Sequence, residues 1–275
     1  MYAPQKQNLF IAAWRRTFQS LRSPKMLIPF LIYAGLQFLV LAGLVYFMHP
    51  PFSYIFLPLH KWFYGEAVLH YPNHFLVLPQ LFDTINILLS GLIGVVTIGI
   101  ATLMFFKNNE GRSRSFGTEI EMKPVASRYF HLLGAWFVQA ALVLGYIFVF
   151  STLAAKSPDF SMYIKIVRYI GATCLSAVFV FTTVHILIEN DPFWTALANS
   201  ARLFSKYALV TILLVGIPSL WQVPVQFLNS NTAAIVRRLN PEVIALVMTG
   251  GIIASMVASY FIIGTVTNLY RNVRH

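Results

Sequence analysis

Asp83 is the residue whose type and position most directly suggest chemistry, because it lies inside an apolar stretch and precedes Asn86 by one helical turn. An acidic group within a membrane span is costly unless it is paired or hydrated, and such groups often mark proton or cation pathways. At the start of a helix, however, the N-terminal amides and water stabilise the same carboxylate. We predict the second arrangement for Asp83, at the beginning of a span near residue 81.

A second polar group lies in a later apolar stretch, where Gln222 and Gln226 accompany Pro218 and Pro224. Proline interrupts the hydrogen bonds of a helix, and broken helices beside polar side chains line the cavities of many transporters. Isolated glutamines also bond simply to neighbouring helices. The candidate transport or intramembrane polar residues are therefore Asp83, Asn86, Gln222 and Gln226.

Residues 49–80 carry many aromatic side chains together with His60, Glu66, His70 and His74. Pro72 separates the last two histidines and disrupts the helical spacing that would direct both rings to one ion. Histidine also ligates haem or chlorophyll-like pigments. Metal or pigment binding is thus an alternative for this segment, with the cofactor unknown. Aromatic contact with lipid headgroups or a partner is the favoured interpretation, and no metal site is assigned.

Motifs of soluble catalysis are missing from the sequence. It has no phosphate-binding glycine loop, no nucleophile elbow and no His-Glu-x-x-His pair. With 9 acidic residues in the chain, paired carboxylates for acid–base catalysis are not evident. The sequence therefore predicts a protein that is not an enzyme.

The elements that must position these residues are apolar and long. Of 275 residues, 57% are hydrophobic and 11% charged, whereas soluble domains carry about 25% charged residues. The apolar residues form blocks long enough to cross a bilayer, which predicts an all-α, polytopic transmembrane helical bundle. We expect a single membrane domain over 1–275, with a first span that is not cleaved. The predicted spans are about 26–48, 81–106, 129–153, 162–188, 207–228 and 242–270.

Basic residues predict the orientation of these spans. The net charge is +11, and most of the 20 Lys and Arg residues fall on one side if both termini lie in the cytoplasm. This bias follows the positive-inside rule and places residues 49–80 on the outer face. It also explains the charge without nucleic acid, which is not an expected partner.

Short amphipathic segments precede the first, third and fifth spans. Phe10, Trp14, Phe18 and Leu21 recur at helical spacing in the cytoplasmic arm 1–25. The pattern predicts three copies of an interfacial helix followed by a helical hairpin, although any hairpin protein with this orientation places basic amphipathic stretches there. The candidate interfacial contacts are Trp14, Arg15, Arg16, Trp194, Arg202 and Lys206.

The last of these segments carries a resemblance. Residues 191–204, with the sequence DPFWTALANSARLF, are followed at once by an apolar span. This element, together with the six-span layout, resembles poorly characterised bacterial inner-membrane families related to the membrane domain of glycerophosphodiester phosphodiesterases. The resemblance implies a prokaryotic membrane protein and carries over no functional residues.

The sequence thus leads to three functional hypotheses. The first is a scaffold or accessory subunit of a membrane assembly, which contacts lipids and other membrane-protein subunits. The second is a permease-like transporter with a cavity near Asp83 and the fifth span. The third is a pigment- or metal-binding subunit using the histidines of residues 49–80. The expected location is the bacterial cytoplasmic membrane.

Overall fold

The computed structural model describes residues 6–108, 122–157 and 160–274. It confirms the all-α prediction: the described residues contain helices and no strand, and six helical stretches are long and apolar enough to cross a membrane. Residues 109–121 and 158–159, which the sequence assigns to polar connections, lie outside the described part. The helices are α1 Lys6–Ser20, α2 Ile28–Val45, α3 Ser53–Tyr64, α4 Asn73–Leu89, α5 Val95–Asn108, α6 Met122–Ser127, α7 Tyr129–Lys156, α8 Ser161–Val178, α9 Thr182–Ile188, α10 Phe193–Ser219, α11 Val223–Ser230, α12 Thr232–Arg238 and α13 Val243–Arg274.

The second membrane-length stretch begins earlier than predicted. It covers Asn73–Asn108 instead of 81–106, and it consists of α4, a π-helical turn at Ser90–Gly94 and α5. Pro79 lies inside α4, where it is buried. Proline removes a hydrogen bond without always ending a helix, and Phe75 and Leu78 in the first two turns are buried. Part of the segment predicted to be a loop is therefore helical.

The remainder of residues 49–80 is also mostly helical. Helix α3 is followed by a short 3₁₀ turn at Glu66–Leu69, which connects to α4. Several aromatic side chains of this region are exposed, including Tyr54, Trp62 and Tyr71. Phe56 instead packs inward, against the backbone of Gly43 on α2.

The fourth predicted span, 162–188, is broken without a proline. Helix α8 ends at Val178 and α9 begins at Thr182. The buried Ser200 hydroxyl of α10 donates a hydrogen bond to the Val178 carbonyl at 2.8 Å. This bond satisfies a carbonyl that the end of α8 leaves without a helical partner.

The segment before the fifth predicted span and the first part of that span, as far as Ser219, form α10. α10 begins at Phe193, directly after Asp191 and Pro192. Its backbone leaves helical geometry at Tyr207, which is the residue where the span is predicted to start. A kink thus separates the amphipathic half of α10 from its apolar half. Pro218 lies near the C-terminal end of α10.

The chain folds into two compact units. Within the described residues, the first unit contains 6–29, 91–108, 122–157, 160–219 and 260–274, and the second contains 30–90 and 220–259. An apolar cluster in the first unit joins Leu9 and Ala13 of α1 to Phe181, Leu214 and Leu269. In the second unit, a cluster formed by α2, α4, α12 and α13 includes Leu44, Leu78 and Ile244.

Candidate functional site

Asp83 does not lie at the start of a helix, so that prediction was wrong. Helix α4 begins at Asn73, about 15 Å before Asp83 along the helix axis. The N-terminal amides of a helix act within the first turn and therefore cannot stabilise this carboxylate. The Asp83 side chain is exposed, and no hydrogen bond or ion pair joins it to the described part of the chain. It is an acidic group in the interior of a membrane-length helix.

Asn86 has a different environment one turn later on the same helix. The buried Gln37 of α2 donates its amide to Asn86 Oδ1 at 2.7 Å. The Tyr33 hydroxyl makes a longer contact with the same oxygen, at 3.4 Å. Gln37 and Tyr33 share a face of α2 because they are four residues apart. The structure thus places a polar cluster of Tyr33, Gln37 and Asn86 inside the second unit, one helical turn from Asp83.

Tyr33 was missed by the sequence analysis, because a tyrosine in an apolar span is usually a packing or interfacial residue. The sequence feature that could have identified Tyr33 is its four-residue spacing to Gln37, a polar residue in the middle of an apolar helix. The spacing alone does not identify Asn86 as the partner.

Gln222 ends the 3₁₀ turn Leu220–Gln222 that follows α10, and Gln226 lies in the first turn of α11. Gln222 is half-buried and Gln226 is exposed. Within the described residues, no hydrogen bond connects either glutamine to Asp83 or Asn86. The four candidate transport residues therefore do not form one hydrogen-bonded group.

The candidate ligand residues of 49–80 differ in their environments. His74 is buried, with its ring 4.0 Å from the Phe75 ring and 5.5 Å from the Phe47 ring. His70 is exposed and precedes the first turn of α4. His60 is part of α3, but its side chain lies outside the described part of the structure. The described side chains contain no group of three metal-ligating residues.

Glu66 forms an ion pair with Lys61, with 3.0 Å between Oε1 and Nζ. The hydrogen bond and the positive charge of Lys61 lower the pKa of the Glu66 carboxyl. Both side chains are exposed, so this pair contributes little to stability and is screened by salt.

The interfacial candidates of α1 divide into inward and outward side chains. Trp14 is half-buried, and its ring lies 5.4 Å from the Phe261 ring. The Arg16 guanidinium donates to Asn272 Oδ1. Arg15 is exposed. On α10, Trp194, Arg202 and Lys206 are all exposed.

A buried polar network attaches α1 to the last turns of α13, and the sequence analysis did not find it. The Ser20 hydroxyl lies 2.7 Å from the Tyr260 hydroxyl, and the Asn268 amide donates to Thr17 Oγ1 at 3.1 Å. All four residues are buried. Thr17 and Ser20 are three residues apart and lie opposite Arg15 and Arg22 on the helix. The three-residue spacing of Thr17 and Ser20 within an amphipathic helix is the sequence feature that could have indicated this network.

The turn between α9 and α10 contributes a second network to the first unit. Glu189 accepts a hydrogen bond from the Tyr270 hydroxyl and forms an ion pair with Arg274 at 3.3 Å. Asp191 accepts a hydrogen bond from the Asn199 amide at 2.9 Å, and its carboxylate lies 3.6 Å from His185 Nδ1. Both carboxylates thus have partners within the unit, which indicates a structural role for this cluster.

Comparison of the chain with protein-family models, with curated proteins and with solved structures finds no match. The functional argument consequently rests on the residues and their geometry.

Proposed function

We propose that this protein is a non-enzymatic scaffold or accessory subunit of a larger assembly in the bacterial cytoplasmic membrane. In this role it acts through contacts with lipids and other membrane-protein subunits. The observation that carries the proposal is Asp83, an exposed carboxylate within the membrane-length stretch Asn73–Asn108 that has no ion-pair or hydrogen-bond partner among the described residues.

A carboxylate within a membrane helix needs a polar partner or water. An Asp at the centre of a membrane helix costs about 2.5–3.5 kcal/mol on insertion scales, and natural proteins offset this cost with a polar partner or a wet cavity. Neighbouring Asn86 bonds to Gln37 through its oxygen, and no hydrogen bond joins its amide nitrogen to the Asp83 carboxylate in the described structure. A polar group on another polypeptide would satisfy Asp83 and make the carboxylate a specific contact between subunits.

The test is the native mass of the protein after gentle extraction from its own membrane. Wild type is expected to retain one or more additional subunits, and Asp83→Leu is expected to lose them. Thr84→Ala is the matched control, because Thr84 is exposed beside Asp83 and its hydroxyl bonds to the Gln80 carbonyl of its own helix. A wild-type protein that is monomeric in every detergent would contradict the proposal.

The Tyr33–Gln37–Asn86 cluster favours a second candidate, a permease-like transporter. Three polar side chains converge in the second unit one helical turn from an acidic group, and this combination suits a proton or a small cation. In a flux assay with reconstituted protein, Asp83→Asn is expected to reduce transport strongly. Unchanged flux of every solute that the wild type transports would eliminate Asp83 as the transport site.

A further inference from the structure

The outward face of α1 combines basic and apolar side chains. Ile11, Arg15 and Phe18 follow one another at spacings of three or four residues and therefore share a face, and Arg22 lies in the turn that follows the end of α1 at Ser20. All four are exposed, with exposed fractions of 63% for Ile11 and 53% for Phe18. The opposite face is packed into the first unit by Leu9, Ala13, Thr17 and Ser20. The orientation of the outward face is thereby fixed.

The first half of α10 repeats this combination. Trp194 and Arg202 lie on one side of it, Leu209 follows the kink at Tyr207, and the exposed fractions of Trp194 and Leu209 are 64% and 72%. Lys206 is exposed on the same side. Ala196, Leu197 and Ser200 are buried on the other side.

The two helices belong to the same apolar cluster. Phe10 and Trp14 of α1 pack against it together with Leu203, Phe204 and Tyr207 of α10. Both helices lie in the first unit, so their outward faces are held by one core.

The described carboxylates of the first unit form no ion pair with these bases. In the described part of the first unit, the acidic residues are Glu189 and Asp191. Glu189 pairs with Tyr270 and Arg274, while Asp191 interacts with Asn199 and His185. No ion pair connects either of them to Arg15, Arg22, Arg202 or Lys206. Among the described residues, these four bases therefore have no ion-pair partner, and an external anion would supply one.

The mixture of side chains determines which environment fits this surface. Water does not favour an exposed Phe, Trp and two branched aliphatics, and hydrocarbon does not favour four unpaired bases. The headgroup layer of a membrane satisfies both, because it places phosphates beside the upper part of the acyl chains. Arginine binds phosphate through a planar fork of donors, and tryptophan prefers this layer.

We propose that the outward faces of α1 and the first half of α10 bind the headgroups of anionic phospholipids. This headgroup-binding surface consists of Arg15, Arg22, Arg202 and Lys206, with Phe18 and Trp194 inserted among the upper acyl carbons. It rests on the function proposed above, whose lipid contacts it specifies, and it does not involve Asp83. The ligand is a lipid phosphate, since the apolar side chains have no role in binding a free anion.

The experiment titrates the purified full-length protein with phosphatidylglycerol or phosphatidylcholine in detergent and counts bound lipids by native mass spectrometry. Each basic side chain near an anionic surface contributes about a five-fold change in affinity. Wild type is expected to prefer phosphatidylglycerol by at least about ten-fold. The variant R15Q/R22Q/R202Q/K206Q is expected to bind the two lipids equally.

Three controls keep the result decisive. The variant R237Q/R238Q removes two exposed arginines of α12 in the second unit and is expected to retain the preference. The charge-conserving variant R15K/R22K/R202K is also expected to retain it, which separates loss of charge from loss of fold. A Phe18→Ser/Trp194→Ser double variant is expected to weaken both lipids equally.

The proposal would be overturned by equal wild-type binding of the two lipids. It would also be overturned if R237Q/R238Q abolished the preference as completely as the four-residue variant does. Displacement of phosphatidylglycerol by glycerol phosphate at equal concentration would show a free-phosphate site instead of a lipid site.

Discussion

The Asn268 amide of α13 donates a hydrogen bond to Thr17 Oγ1 of α1 at 3.1 Å, joining positions that are 251 residues apart in the sequence. Both side chains are buried, and the neighbouring pair of Ser20 and Tyr260 makes a second polar contact. Polar bonds in a region of low dielectric specify one register, because every shifted arrangement leaves a buried group unsatisfied. The N-terminal amphipathic helix is thus an integral part of the first unit.

Replacement of Ser20 by alanine is expected to destabilise the first unit by about 1–2 kcal/mol. The substitution removes the contact with the Tyr260 hydroxyl and leaves that buried group with one fewer partner. The measurement is thermal unfolding in detergent. Ser205→Ala is the control, because Ser205 is exposed and bonds to the Arg202 carbonyl of its own helix. Equal effects of the two substitutions would contradict a special role for the buried contact.

Gly264 permits the close approach of α1 to α13. A Cβ atom at this position would lie 2.5 Å from Thr17 Cγ2 and 2.9 Å from Phe105 Cε1. Gly264→Ala is therefore expected to cost about 1–3 kcal/mol through overpacking. Gly250→Ala on the same helix is expected to be neutral or stabilising, since a Cβ there meets nothing within 4 Å. The unfolding midpoints of the two variants, compared in one detergent, test the difference.

Gln37→Leu is expected to destabilise the second unit by about 1–3 kcal/mol. Gln37 is buried, and its loss removes the 2.7 Å hydrogen bond to Asn86 Oδ1. Gln226→Leu serves as the control, because Gln226 is exposed on α11. If both variants unfold at the wild-type temperature, the cluster around Asn86 does not stabilise the unit.

The ion pair of Glu66 and Lys61 should produce a small pH dependence with a defined sign. The folded state lowers the pKa of Glu66 below its ordinary value of 4.5. Its contribution to stability is therefore complete above about pH 4.5 and disappears as the pH falls through the lowered pKa. The unfolding midpoints of wild type and Glu66→Gln, measured from pH 7 to pH 3, should converge at low pH. A difference that grows on acidification would contradict this assignment.

The sequence alone determined the class of the protein and the existence of six membrane-length helices. Length and hydropathy are properties of contiguous residues, so six apolar blocks are recognisable before any packing is known. The same local information predicted that the fifth span starts at Tyr207, where amphipathic character changes to apolar and where the structure has the kink of α10. It failed at residues 73–80, which the sequence assigned to a loop and which are helical in the structure, with Phe75 and Leu78 buried.

Tertiary structure decided which polar side chains find partners. The hydrogen bonds of Asn86 with Gln37 and of Ser200 with the Val178 carbonyl join different helices. The environment of Asp83 depends on where α4 begins, at Asn73. Helical spacing identifies the face on which a side chain lies, but it does not identify the helix that packs there. The membrane class was therefore a local property of this chain. Its internal network emerged only from the packed helices, which also showed that Asp83 and the bases Arg15, Arg202 and Lys206, already candidates from the sequence, are exposed.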